Sequence, residues 1–169
     1  HTALGLHALQ HRGQEAAGIV SFDGRQFHVH RAQGLVGDNF NSAPIIERLG
    51  GRSAIGHTRY STTGETMLRN VQPLFAEYNF GGMAVAHNGN LTNAMTMRQR
   101  LKERGCLFQS TSDTETIIQL VAISEAGSAQ ARLIDALQLV EGAYSLVVLT
   151  EQWMIGARDP FGVRPLVLG

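Results

Sequence analysis

The sequence is 169 residues long, 43% hydrophobic and 17% charged, with 14 basic residues set against 14 acidic ones. A chain of this size closes one core, and a formal net charge of zero without a Lys/Arg run argues against nucleic acid or a membrane surface as partner, so a small molecule is expected. One cysteine, Cys106, excludes an internal disulfide; no apolar run approaches the roughly 20 residues of a membrane span and no leader pattern opens the chain, so the cytoplasm is the expected compartment.

Residues 2–11 read as a short amphipathic helix, with Leu4, Ala8 and His11 at helical spacing and Leu6 and Leu9 widening the face. Residues 17–22 and 26–31 flank Asp23-Gly24, a strong hairpin signal, and Phe27 and Val29 alternate with Gln26, His28 and His30 as a half-buried strand does. A loop through Gly34, Gly37, Asp38 and Asn39 precedes a helix at 44–49, closed by Gly50-Gly51, and then a buried strand at 52–57. Residues 59–72, with Tyr60-Ser61-Thr62-Thr63-Gly64, have little apolar periodicity and read as a long loop of the kind that carries function. Strands follow at 74–78 and 83–87, the second breaking into the polar turn residues Asn88-Gly89-Asn90. A helix over 93–104 is stopped by Gly105. Ser112-Asp113-Thr114-Glu115 has capping-box form, with Ser112 as N-cap, and opens an apolar-periodic helix through Ile117, Ile118, Leu120, Val121 and Ile123 that ends at Gly127. One more helix, 129–140, runs into Gly142, and strands at 144–149, 153–158 and 165–168 complete the chain. Strands at both ends with helices between them give an α+β layered fold rather than a βαβ repeat.

Several polar residues invite a chemical reading. His7 and His11 have metal-pair spacing, but no Glu or third ligand accompanies them, and His28 and His30 share the wet face of one strand. Cys106 has neither a helix N-terminus nor a basic partner to activate it, and reads as an inert thiol. Arg59 is placed either for a rim salt bridge or for bidentate binding of a carboxylate. Asp113, in a helix's first turn, suits the helix dipole or a bound ammonium. Asn88-Gly89 is a plain turn, or else a side-chain amide and a peptide N–H aimed at one oxyanion. Taken together these residues describe a pocket for an amino acid whose side-chain carbonyl is attacked, with no nucleophile supplied.

Three motifs carry a family resemblance: Gly56-His57-Thr58-Arg59-Tyr60-Ser61-Thr62-Thr63-Gly64, His87-Asn88-Gly89-Asn90-Leu91-Thr92-Asn93 and Ser112-Asp113-Thr114-Glu115. Their order and flanks resemble the glutaminase domain of class II, N-terminal-nucleophile glutamine amidotransferases. Within that class, His11-Arg12-Gly13-Gln14-Glu15 and Arg158-Asp159-Pro160-Phe161-Gly162-Val163-Arg164-Pro165 resemble the amidophosphoribosyltransferase family. Glucosamine-6-phosphate synthase would typically carry Trp and His where Tyr60 and Thr63 stand, and asparagine synthetase Pro-Asp where Gln14-Glu15 stand.

The resemblance implies a four-layer αββα sandwich of mainly antiparallel sheets. It implies that Arg59, assisted by Thr62, binds the glutamine α-carboxylate, that Asp113 binds the α-ammonium, and that Asn88 and Gly89 form the oxyanion hole. An N-terminal Cys would attack the amide, and the ammonia would pass to a phosphoribosyltransferase domain acting on phosphoribosyl pyrophosphate, in the first committed step of purine synthesis. No cofactor is implied for this domain; magnesium belongs to the phosphoribosyltransferase domain, an iron–sulfur cluster is left undecided, and a homo-oligomer is expected of the parent enzyme.

The family pattern begins with a Cys-Gly-Ile-Val-type strand, whereas this chain begins at His1, so it is expected to be a partial glutaminase domain lacking the first strand, the nucleophile and the phosphoribosyltransferase domain. The 169-residue polypeptide is then expected to release no ammonia from glutamine. Three inward apolar residues, at about 1.5–3 kcal/mol each, make the missing strand worth about 5–9 kcal/mol, so the isolated fragment is expected to be marginally stable. The competing expectation is a module that binds glutamine without turning it over.

Overall fold

The computed structural model describes residues 1–60 and 67–169, so Ser61, Thr62, Thr63 and Gly64 of the predicted loop lie outside the described residues. Two antiparallel sheets form the centre. β1 (Ala16–Phe22), β2 (Phe27–Gln33) and β3 (Ser53–Arg59) make the first, in the order β2-β1-β3. The second, β4-β5-β6-β7, comprises β4 (Leu74–Tyr78), β5 (Gly81–Leu91), β6 (Gly142–Thr150) and β7 (Met154–Arg158). Six α-helices accompany them among the described residues: α1 (Thr2–Ala8), α2 (Val36–Asn39), α3 (Ala43–Arg48), α4 (Ala94–Glu103), α5 (Thr114–Ile123) and α6 (Ala129–Leu139).

The period-2 alternation of the strands turns these elements into layers. On β1, Ala17 and Ile19 face outward and pack with Leu6, Val36 and Phe40 from α1 and the α2 region. Val20 of β1 and Ile55 of β3 face the other way, onto Ala84 and Ala86 of β5 and Leu149 of β6. Met83 and Val85, on the opposite face of β5, join Leu101, Ile117, Val121 and Leu133 of the longer helices. Helices, sheet, sheet and helices therefore follow one another, the α+β architecture expected. None of the helices among the described residues is long and apolar enough to cross a membrane.

Six local expectations are corrected. Residues 36–39, expected as part of a loop, form α2, whose Val36 N–H is taken up by Oε1 of Gln10. β3 does not end at His57; it runs to Arg59, because β1 pairs with it as far as Ala16 opposite Arg59. In α1 the buried contact is Leu6, 4% exposed, while Leu4 is 73% exposed, because the helix meets β3 along the side where Gly56 leaves room for Leu6. β5 does not end before Asn88; it runs to Leu91, since β6 supplies partners all the way, from Met83 opposite Thr150 to Leu91 opposite Gly142. The capping box does not form. Glu115 turns back to accept from the N–H groups of Gln109 and Ser110, both at 2.7 Å, and Asp113 becomes the N-cap of α5. Residues 165–168 form no strand, because Ser145 Oγ and the carboxylate of Asp159 hold the preceding turn instead.

α6 has a side-chain cap: Ser128 Oγ accepts from the N–H of Ala131 at 3.2 Å. Ser128→Ala is expected to cost about 1 kcal/mol. Chemical denaturation checks this, and an unchanged midpoint would show that the cap contributes nothing.

Candidate active site

A cavity of about 770 Å³ opens where the ends of β3 and β5 meet the start of α5. Its lining includes Arg59, Asn88, Gly89 and Asp113, so four of the five sequence-predicted site residues meet in one place although they come from β3, β5 and the start of α5. The fifth, Thr62, lies outside the described residues.

Strand alternation explains the convergence. Ile55 of β3 faces β5 within the inter-sheet core, so His57 and Arg59, two and four residues on, face the same way beyond it. On β5, Ala84 and Ala86 face β3, and Asn88 follows on that face; Nε2 of His57 lies 3.0 Å from Oδ1 of Asn88. Arg59 Nη1 donates to the carbonyl of Asn70 at 2.7 Å. Asn70 is itself clamped to Thr111 through both ends of its amide, at 2.8 and 2.9 Å, so the guanidinium is tied to the loop that carries Asp113.

The edge of β5 makes the second half of the site. Its partner β4 stops at Leu74 opposite Val85, and at the next in-register position the side chain of Gln72 takes over the ladder, accepting from the N–H of His87 at 2.6 Å and donating to its carbonyl at 3.2 Å. Two residues beyond Gly89, the N–H of Leu91 donates to Oδ2 of Asp113 at 3.0 Å. Backbone groups of alternate residues leave a strand on the same side, so the N–H of Gly89 leaves β5 between the Gln72 amide and the Asp113 carboxylate. Gly89 has φ +150°, and a Cβ there would meet the carbonyl oxygen of Ala143 at 2.0 Å. Nearby, Gly18 lets the 71–73 stretch cross β1, since a Cβ would lie 2.3 Å from the carbonyl oxygen of Gln72.

The electrostatics suit an amino acid. Burial opposes ionisation of Asp113, but the hydrogen bond and charge of His87, with the N–H groups of Leu91 and Thr114, outweigh it and hold the carboxyl below its ordinary value of 3.8. Because the folded pKa is depressed, the carboxylate's stabilisation is present above about pH 4 and is lost as the pH falls through the folded value. Asp113→Asn is expected to flatten the acid limb of Tm against pH below about pH 4; an acid limb identical to that of the parent protein would refute an ionised, hydrogen-bonded Asp113. His57 moves the other way for a base: burial pushes it down to about 4 against the hydrogen bond to Asn88, and the charges of His87 and Arg59 add to the fall.

Arg12, Ser145 and Arg164 also line the cavity. Arg164 is brought there by Asp159, a residue 2% exposed, whose carboxylate accepts from the N–H groups of Tyr144, Phe161, Val163 and Arg164 at 3.0–3.3 Å. These backbone donors outweigh desolvation and lower its pKa. Arg12, Asp159 and Arg164 fall in motifs that carry the family resemblance, but none of these residues was singled out from the sequence as a site residue. His57 had a signal, its period-2 relation to Arg59 on one strand; Gln72 and Asn70 had none, because their partners are fixed only by the meeting of distant segments.

Among the described residues, no group of three or more His, Cys, Asp or Glu side chains is placed to hold a metal. His28 sits 2.7 Å from Asp23, and His30 is 2.9 Å from Arg48. Cys106 packs against the helical core and does not line the cavity.

Comparison with known proteins agrees with this geometry. Residues 57–169 match the family described as a glutamine amidotransferase domain. The amidophosphoribosyltransferase of Rhizobium etli is 58% identical over 168 residues, covering 99% of this chain and 34% of that protein. That of Lacticaseibacillus casei is 45% identical over 168 residues, covering 99% of this chain and 87% of that sequence. The solved glutamine phosphoribosylpyrophosphate amidotransferase of Bacillus subtilis, complexed with ADP and GMP, superposes with a TM-score of 0.89 at 43% identity, over 97% of this chain and 35% of that one. The chain thus spans about a third of the length of the Rhizobium and Bacillus relatives. A sheet-end cavity built from these motifs, and relatives of this similarity, place the chain in the glutamine amidotransferase domain family and, within it, in the amidophosphoribosyltransferase family.

Proposed function

We propose that this chain forms the glutamine site of an amidophosphoribosyltransferase. The observation that carries the proposal is the meeting of Arg59, Asp113, Asn88 and Gly89 around one cavity. Glutamine presents an α-carboxylate to the Arg59 guanidinium and an α-ammonium to the Asp113 carboxylate, which fixes the amide end by elimination. Attack on the amide carbonyl turns its oxygen into an oxyanion, and the Asn88 NH2 with the Gly89 N–H stabilises that charge more than it stabilises the planar amide. A cysteine thiolate is the attacking group that the family resemblance implies. It leaves a thioester and releases ammonia, and water then releases glutamate. In the full-length protein the ammonia displaces pyrophosphate from phosphoribosyl pyrophosphate and gives 5-phosphoribosylamine, a reading supported by the name the relatives share.

The test is steady-state release of glutamate from glutamine by the full-length protein, with and without phosphoribosyl pyrophosphate. Glutamate formation coupled to pyrophosphate release is expected. Saturable binding of glutamine without turnover would replace the proposal by a binding module, and no interaction with glutamine would end both readings.

A further inference from the structure

His57 is a titratable group that the reading above leaves without a task. Its ring is half-buried, Nδ1 is enclosed without a hydrogen-bond partner, and Nε2 lies 3.0 Å from Oδ1 of Asn88. Among the described residues, this is the hydrogen bond that the Asn88 side chain makes.

An amide has two ends of opposite polarity, and they act oppositely on a developing negative charge. NH2 turned to the cavity stabilises an oxyanion; a carbonyl turned there repels it. The partner at the other end decides the orientation. A neutral imidazole carries one N–H. With the proton on Nε2, the ring donates to Oδ1 of Asn88 and leaves NH2 free. With the proton on Nδ1, Nε2 accepts from the Asn88 NH2, and the carbonyl is left facing outward.

The surroundings select between these forms. A proton on Nδ1 would be a buried donor with nothing in hydrogen-bond geometry to receive it. The carbonyl of His87 lies near enough to favour a protonated ring, but it stands outside hydrogen-bond geometry from Nδ1. The charged and titratable groups that act on the ring are Arg59 from its own strand and His87 from β5, and neither attracts a second proton. Burial with these two neighbours leaves the ring neutral at pH 7, since it titrates at about 4.

We propose that His57 is a positioning residue of the amidotransferase site: its Nε2–H holds Oδ1 of Asn88 and so keeps the Asn88 NH2 turned to the cavity as an oxyanion donor. The proposal rests on the oxyanion role given to Asn88 above.

Two measurements on the full-length protein test it. Histidine labelled with ¹⁵N, assigned by difference from His57→Gln, is expected to show His57 as the neutral Nε2–H tautomer at pH 7; an Nδ1–H or doubly protonated ring overturns the proposal, whatever the protein does with glutamine. In kinetics, His57→Leu is expected to lower kcat for glutamine hydrolysis by about 10- to 100-fold with KM changed less than about threefold, because the α-groups are held elsewhere. His57→Gln, which returns an N–H donor, is expected to recover most of that loss. Equal losses in both variants, or KM and Tm moving together with kcat, would make His57 merely structural and overturn the proposal. Should His57→Leu not fold, His57→Gln and the tautomer decide the matter. If the parent protein leaves glutamine untouched, the functional reading fails while the tautomer still reports on the positioning.

Discussion

Gly89→Ala is expected to destabilise the glutaminase domain by about 3–5 kcal/mol, a fall in Tm of at least about 6 °C for a domain of this size. The cause lies in backbone atoms. A Cβ at position 89 would stand 2.0 Å from the carbonyl oxygen of Ala143, 2.8 Å from Cα of Tyr144 and 2.9 Å from Nε2 of His87, in a conformation of φ +150° that side-chain-bearing residues rarely adopt. The first two contacts are main chain of β6 and cannot swing aside; relief requires β5 and β6 to part over the stretch where Asn88 faces Ser145 and Asn90 faces Ala143. That movement would also carry the Gly89 N–H away from its place between Gln72 and Asp113, so glutaminase activity is expected to be lost along with the stability. Calorimetry with a glutamate-release assay checks both, and a Tm within about 2 °C of the parent protein would show that position 89 is not held as described.

Asn88→Ala is the complementary case, with a large effect on rate and a small one on stability. Its side chain faces the cavity, so truncation opens no dry void and removes the proposed oxyanion donor. A fall in kcat of about 10²- to 10³-fold is expected, with KM for glutamine within a few-fold of the parent value, since Arg59 and Asp113 still hold the α-groups. Asn88→Asp should be no better, because a carboxylate places negative charge where negative charge develops. A kcat unchanged in Asn88→Ala would remove the side chain from the oxyanion hole and would leave His57 nothing to position.

The longer helices, the hairpins and the fold class were legible because each rests on short-range pattern, whereas the one-turn helix α2 was expected as loop. Asp23 caps its hairpin turn by accepting from the N–H groups of Arg25 and Gln26, as an Asp-Gly turn should. α4 begins and ends within a residue of its expected bounds, with Gly105 just past its end. Of the site, Arg59, Asn88, Gly89 and Asp113 were found as residue types that suit one ligand, and the structure brings them to one cavity. Where local pattern misled, a competing partner had won. Asn88-Gly89 has turn chemistry, but β6 extends the ladder past it and makes it strand; Ser112 and Glu115 have capping-box spacing, but the N–H groups of Gln109 and Ser110 claim the carboxylate.

Sequence alone thus determined which chemical groups this protein can bring to a ligand: a guanidinium, a carboxylate, an amide and a glycine N–H. Tertiary structure alone decided where those groups point. Gln72 stands in for a strand because β4 stops two positions short, Asn70 braces Arg59 to the Asp113 loop, and Asp159 gathers four peptide N–H groups to deliver Arg164 to the cavity rim. The reason is the range of the interactions. Propensity, turn chemistry and periodicity act over a few residues and are written in them, whereas a hydrogen bond between segments 15 to 41 residues apart exists only once the sheets have closed on each other.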